Sequence, residues 1–285
     1  MPEPVAIIGD IHGCFDELLA LEAELDRQFP GGIRRVFVGD LLDKGPKQIE
    51  LLDYVIEKGY DVVMGNHEDK HRRFKKHDIE KGPKNNPMRK SRRGSPVSGT
   101  GGFVEINELL TADHYAFLCS LPLAIRIPEW ELIVIHAGIP AAMQNIGTEV
   151  TAPFITLAGK TKKFFGTLCW TRFISGSKGM PVMLGKEGPE DSYWAEVYDG
   201  RFGTAVFGHQ PFKGPAVFPF ARGVDTGCVF GDQLSCIVYT DDDPDGCFIS
   251  VEALAAHAEP WGPRDGYCID GKFVRVERKI KEIIG

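Results

Sequence analysis

Five short strings in this 285-residue chain carry side chains able to do chemistry: Gly9-Asp10-Ile11-His12-Gly13, Gly39-Asp40-Leu41-Leu42-Asp43, Gly65-Asn66-His67-Glu68, His136-Ala137-Gly138 and Gly208-His209. Each places carboxylate, imidazole or amide groups close behind an apolar run. Taken singly, a Gly-Asp or Gly-His pair is an ordinary turn. Together they offer oxygen and nitrogen donors of the kind that hold Mn²⁺, Fe or Zn²⁺, and the lack of thiolates in the set argues against a structural zinc site. Metal-assisted hydrolysis is the chemistry such a set permits.

The elements that must position these strings can be read from periodicity. Val5 to Gly9 reads as a buried strand, Cys14 to Gln28 as a helix, Arg35 to Gly39 as a strand, Pro46 to Lys58 as a helix with Pro46 in its first turn, and Asp61 to Gly65 as a strand. This alternation means βαβ units and a parallel sheet. Binding groups in open α/β sheets gather beyond the carboxyl ends of the strands, so the five strings are expected along one edge. Phe15, Leu18, Leu19, Leu21 and Leu25 give the first helix a face to lay on the sheet. A helix from Glu68 runs into the breakers of residues 81–87, read as a loop. Helices over Phe103 to Leu110 and Asp113 to Ser120 follow. Strands Leu132 to Ile135 and Ala205 to Phe207 lead into His136 and Gly208-His209, and two β-rich runs between Gly223 and Tyr239 read as a hairpin around Gly231-Asp232. With no repeat and no linker-like break, residues 1–285 are expected to form one domain. It would carry a basic inserted loop at about 70–100 and, at about 259–285, a C-terminal extension docked on an edge as a strand or helix.

Composition sets the bounds. Apolar residues make up 43% of the chain and charged residues 26%, enough to bury a substantial core. No run approaches the roughly 20 apolar residues that span a bilayer, and Met1-Pro2-Glu3-Pro4 is unlike a signal peptide, so a cytoplasmic protein with no membrane partner is expected. Seven cysteines without a Cys-x-x-Cys pair suggest buried thiols. The net charge of −7 hides a basic island: Lys70 to Arg93 holds eleven Lys/Arg against Asp78 and Glu80.

In their order, the strings Gly-Asp-Ile-His-Gly, Gly-Asp-Leu-Leu-Asp-Lys-Gly, Gly-Asn-His-Glu, His-Ala-Gly and Gly-His resemble the signature of the phosphoprotein-phosphatase branch of the calcineurin-like metallophosphoesterases, over residues 5 to 239. The resemblance implies an α/β sandwich of two central mixed sheets flanked by helices, with a dinuclear metal site at the strand ends. It implies that Asp10, His12 and Asp40 hold one divalent ion and Asp40, Asn66, His136 and His209 a second, Mn²⁺ first with Fe or Zn²⁺ as alternatives. A hydroxide shared by the ions would attack phosphorus. His67 would protonate the leaving group and Asp43 would orient His67. Lys44 stands where that family usually has Arg and would hold substrate phosphate as a point charge. Arg172, in Cys169-Trp170-Thr171-Arg172, is similar in setting to a phosphate-binding Arg of several bacterial members. Asp225 would orient a metal ligand without touching the metal.

His71, His77, His114 and His257 read as surface histidines. The sequence around residues 39–46, 98–110 and 224–234 is closer to bacterial diadenosine tetraphosphate hydrolases and to the phosphatase module of bacterial polynucleotide kinase-phosphatase than to eukaryotic protein phosphatases. The expected substrate is therefore a phosphorylated small molecule, a nucleotide or a nucleic-acid end, with a phosphoprotein as the alternative. The basic island could attract such a polyanion, although Phe74 is its single aromatic residue for stacking. A non-catalytic binding protein would be expected to carry damaged ligands, and all six are intact here. No segment marks an obligate protein partner.

Overall fold

The structure is a computed structural model and describes residues 2–91, 102–259 and 266–275. In chain order its elements begin with strand β1 (Val5–Ile8), helix α1 (Phe15–Gln28), β2 (Arg34–Phe37), α2 (Gln48–Lys58), β3 (Asp61–Val62) and α3 (Asn66–Lys81). Then come α4 (Pro87–Ser91), α5 (Phe103–Leu109), α6 (Ala112–Ser120), β4 (Ala124–Ile127), β5 (Leu132–Ile135), α7 (Gly159–Phe165), β6 (Phe173–Ile174), β7 (Pro181–Val182), β8 (Ser192–Tyr193) and α8 (Trp194–Val197). The chain continues with β9 (Thr204–Phe207), β10 (Ala216–Phe218), β11 (Ala221–Gly223), β12 (Gln233–Tyr239), β13 (Cys247–Glu252), β14 (Gly266–Ile269) and β15 (Lys272–Arg275).

Two five-stranded mixed sheets form the centre, ordered β13-β12-β1-β2-β3 and β10-β11-β9-β5-β4. The expected parallel core is there: β1-β2-β3 run parallel in the first sheet, and β5-β9-β11 in the second. Antiparallel strands flank each. Strands β1 and β5 are apolar and buried throughout because both of their faces are covered. Successive side chains point to opposite faces. Thus Val5, Ile7, Val36, Val38, Leu132, Val134, Val206 and Val224 fill the layer between the sheets, while Ala6, Ile8, Phe37, Ile133, Ile135 and Phe207 belong to the outer core with Leu18, Leu21 and Leu25 of α1. Fully burying each larger side chain contributes about 1.5–3 kcal/mol.

Several expectations are corrected. The run from Gly223 to Tyr239 is not a hairpin: β11 pairs with β9 in the second sheet, and β12 pairs with β1 and β13 in the first. Buried Val224, whose N–H bonds to Phe207 O, carries the chain across the layer between the sheets. Pro46 precedes α2 rather than entering it, and Leu19 is 40% exposed. The breakers after Lys81 do end α3, and α-helix resumes only at Pro87 as α4, whose start is capped by Asn86 Oδ1 accepting from Met88 N at 2.9 Å. The β14-β15 hairpin lies near β10, with Cys268 Sγ donating to Val217 O at 3.0 Å. The turn at 260–263 falls outside the described residues. Among the described residues, no helix is long and apolar enough to cross a membrane.

Candidate active site

Every one of the five strings follows the carboxyl end of a parallel-paired strand, three in the first sheet and two in the second. Close approach between the turns is possible because glycines precede the donors. A Cβ on Gly9 would stand 2.2 Å from Val224 O, and one on Gly208 would stand 2.0 Å from Asp10 Oδ1. Of the seven described non-glycine residues with positive φ, five are His12, Asp40, Asp43, Lys44 and His209. A positive φ costs a non-glycine residue on the order of 1–3 kcal/mol, and it persists only where surrounding contacts impose it. Here those contacts are visible. His12 N donates to Asp40 O at 2.9 Å, and His209 N donates to both Asp10 oxygens at 3.1 and 3.0 Å.

Asp40 sits at the middle. His12 Nε2 and His67 Nε2 lie 3.6 and 3.7 Å from its Oδ2, and His136 Nε2 lies 3.4 Å from its Oδ1. Ligand atoms of Asp40, His136 and His209 fall within 4.8 Å of one another, as do those of His12, Asp40 and His67. Asn66 joins the first group, with Oδ1 at 3.0 Å from His136 Nε2. Asp10 lies outside both groups and touches them through His209 N. The arrangement fits cations. His136 Nδ1 donates to Val38 O at 2.8 Å and His12 Nδ1 donates to Leu42 O at 2.8 Å, so in each ring Nε2 is left as a lone pair. His136 Nε2 thus faces the Asn66 oxygen, one acceptor against another, and His209 Nε2 is buried without a partner among the described residues. The Lys44 ammonium, 2.7 Å from His12 Nε2, stands in for a cation.

Charge tells the same story. Burial, then Asp225 and Asp40, push the Asp10 carboxyl well above the usual range. Burial opposes ionisation of Asp40 too, but His136, His67 and His12 hold it well below that range. Burial and then Lys44 lower His12; burial and then Arg172 lower His209. Burial thus disfavours charge on these imidazoles while carboxylates crowd beside them, the condition that divalent cations relieve.

Asp43 Oδ2 is hydrogen-bonded to His67 Nδ1. Burial disfavours the Asp43 anion, but His71 and His67 outweigh it and hold its pKa well down. Arg172 donates to His209 O at 2.7 Å and to Gln210 Oε1 at 3.0 Å, which keeps it at the edge of the cluster. Asp225 does not hold a ligand in place. Its Oδ1 accepts from Gly227 N at 3.1 Å, and no bond to the six candidate ligands occurs among the described residues. Burial raises its pKa to about 6.

Two residues without an assigned part matter here. Glu68 is fully buried, and its oxygens accept from the backbone N–H groups of Asp40, Leu41, Leu42 and Gly65 at 2.7, 2.9, 3.2 and 3.2 Å. Its position three residues after the helix-capping Gly65 is the signal that could have found it. His71, expected at the surface, is fully buried and bonded to Asp43 Oδ1 at 2.8 Å; its spacing of four from His67 on α3 puts both on one helix face. His114 is likewise buried, against Asp53 at 2.6 Å, while His77 and His257 are half-buried. The basic island is substantially matched within the chain. Lys70 pairs with Asp43, Arg72 and Arg73 with Asp69, Lys76 with Glu80 and Arg89 with Asp78, and Lys75 donates to Asn107 O and Leu110 O. Arg92 and Arg93 lie outside the described residues.

The profile of the calcineurin-like phosphoesterase family matches residues 3–166. A bis(5'-nucleosyl)-tetraphosphatase PrpE (asymmetrical) of Bacillus velezensis is 32% identical over 271 residues, covering 87% of this chain and 92% of its own. Its namesake in Bacillus subtilis is 30% identical over 251 residues, covering 80% and 88%. A crystal structure assigned to a diadenosine tetraphosphatase superposes with a TM-score of 0.61 at 26% identity, covering 89% of this chain and 96% of that one.

Proposed function

Because the chain belongs to the calcineurin-like phosphoesterase family, we propose that it hydrolyses dinucleoside polyphosphates at a two-metal centre built on Asp40. The observation that carries this reading is the Asp40 carboxylate, with His12 and His67 on one oxygen and His136 on the other. In our reading Asp10, His12 and Asp40 hold one cation and Asp40, Asn66, His136 and His209 the other. We take the metal to be Mn²⁺, with Fe or Zn²⁺ also suited to these donors. Two such cations, when bound, supply Lewis acidity at the phosphoryl group and a water nucleophile at neutral pH.

The chain's own residues do the rest. His67 is held through Nδ1 by Asp43, which turns Nε2 toward the cluster. Burial disfavours the imidazolium while Asp40 and Asp43 favour it, and when protonated on Nε2 the ring would give that proton to the departing oxygen. Lys44 and Arg172 are the cations we assign to substrate phosphate, Lys44 as a point charge and Arg172 as a planar fork braced on His209 O. The relatives named above support the nucleotide substrate, and the seven cysteines, none in a disulfide, suit the reducing cytoplasm in which we place the enzyme.

A panel of diadenosine tetraphosphate, a 3'-phosphorylated oligonucleotide and a phosphopeptide, each with Mn²⁺, tests the substrate. Diadenosine tetraphosphate should turn over fastest and yield ATP and AMP. Two ADP would contradict off-centre cleavage, and preference for the phosphopeptide would contradict the substrate class. His67→Ala should lower turnover of alkyl phosphates by about 10²- to 10⁴-fold but that of 4-nitrophenyl phosphate by about tenfold or less, since nitrophenolate leaves without a proton. Equal losses would remove His67 as the acid.

A further inference from the structure

Asp43 binds His67 through Oδ2 and offers its other oxygen to a second histidine. His71 Nε2 lies 2.8 Å from Asp43 Oδ1. The His71 ring packs on Phe103 with centroids 4.4 Å apart, and its Nδ1 meets Asn107 Nδ2 at 2.8 Å. The same Asn107 nitrogen is 2.7 Å from Phe103 O. A carbonyl oxygen only accepts, so the Asn107 atom between Phe103 O and His71 is the amide NH₂. His71 Nδ1 therefore accepts, its one ring proton resides on Nε2, and Nε2–H donates to Asp43. The direction of every bond from the Phe103 backbone to Asp43 follows from that carbonyl.

We propose that His71 and Asn107 are positioning residues for phosphoester hydrolysis, bracing Asp43 so that its Oδ2 receives His67 Nδ1–H and His67 Nε2 is presented to the leaving oxygen. This inference rests on the assignment of His67 as proton donor. The brace has a specific competitor to resist. Lys70 Nζ lies 2.6 Å from Asp43 Oδ2 and 3.3 Å from His67 Nδ1. A carboxylate released on its Oδ1 side can turn toward that ammonium and let His67 rotate. His71 holds it by a direct bond from Nε2–H to Oδ1. The ring contact with Phe103 and the Asn107 bond keep His71 itself from rotating.

The test compares folded variants on an alkyl phosphate and on 4-nitrophenyl phosphate with Mn²⁺. His71→Phe keeps a ring against Phe103 and removes the donor. It should lower alkyl phosphate turnover by about 10- to 100-fold and nitrophenyl turnover by about threefold or less, the pattern of a misaligned acid. His71→Gln returns an amide N–H near the Nε2 position and should recover most of the lost turnover. Asn107→Leu should shift the ratio in the same direction by a smaller factor. A folded His71→Phe that loses equally on both esters, or loses nothing, overturns the proposal. Should the variants fail to fold, ¹⁵N shifts of the His71 ring in the unmodified protein decide: a proton on Nε2 is expected, and one on Nδ1 overturns the bracing. If His67→Ala shows no leaving-group selectivity, the acid assignment fails first. If His67→Ala is selective and His71→Phe is not, only the brace fails.

Discussion

Replacing Asp40 by asparagine is expected to lower turnover by at least about 10³-fold, equivalent to about 4 kcal/mol of activation free energy, while leaving the fold intact. Asparagine matches aspartate in shape, so the buried site keeps its packing. It lacks the negative charge, and it replaces with an NH₂ one of the two oxygens that face His12, His67 and His136 at 3.4–3.7 Å. An NH₂ cannot share a cation with an imidazole. Bound metal should therefore fall together with turnover, from two ions per chain to one or none, as read by elemental analysis after dialysis against Mn²⁺. Near-normal turnover in a folded Asp40→Asn protein would contradict the shared role of this carboxylate.

The largest effect on stability is expected from Glu68→Ala. Four backbone N–H groups, from Asp40, Leu41, Leu42 and Gly65, converge on this one fully buried carboxylate. Each buried donor left without an acceptor costs about 1–3 kcal/mol. With partial relaxation of the turn, the total loss should be on the order of 3–5 kcal/mol, a large share of the margin of a typical domain. Burial and the nearby Asp40 push the Glu68 carboxyl up to about 8, against the pull of its N–H donors. Glu68→Gln should lie between wild type and Ala, because its Oε1 still accepts whereas its NH₂ meets other donors. Urea unfolding measures this directly, and a loss below about 1 kcal/mol for Glu68→Ala would show that the turn holds itself.

Much of the architecture was legible because the central strands are uninterrupted apolar runs ending in glycine or histidine. Leu132–Ile135 is read to the residue, since Glu131 and His136 bound it sharply. The gathering of the turns also follows from sequence, because parallel strands place their carboxyl ends together. What could not be read depends on contacts between distant segments. His71 looks like one polar residue in a charged helix until Asn107, 36 residues later, covers it. Two β-rich runs near Gly231 look like a hairpin because local propensity does not reveal that β11 and β12 belong to different sheets. The basic island looks like a field for polyanions when its charges are only summed, although the helix expected from Glu68 already fixes their spacing. Asp69 then falls three and four residues before Arg72 and Arg73, and Glu80 four after Lys76.

Crystals grown with Mn²⁺ and measured at the manganese edge give the most direct test. Two anomalous peaks about 3.5–4 Å apart are expected, with the Asp40 carboxylate between them, one peak beside Asp10 and His12 and the other beside Asn66, His136 and His209. A single peak remote from Asp40, or none while the protein hydrolyses phosphate esters, would contradict the account.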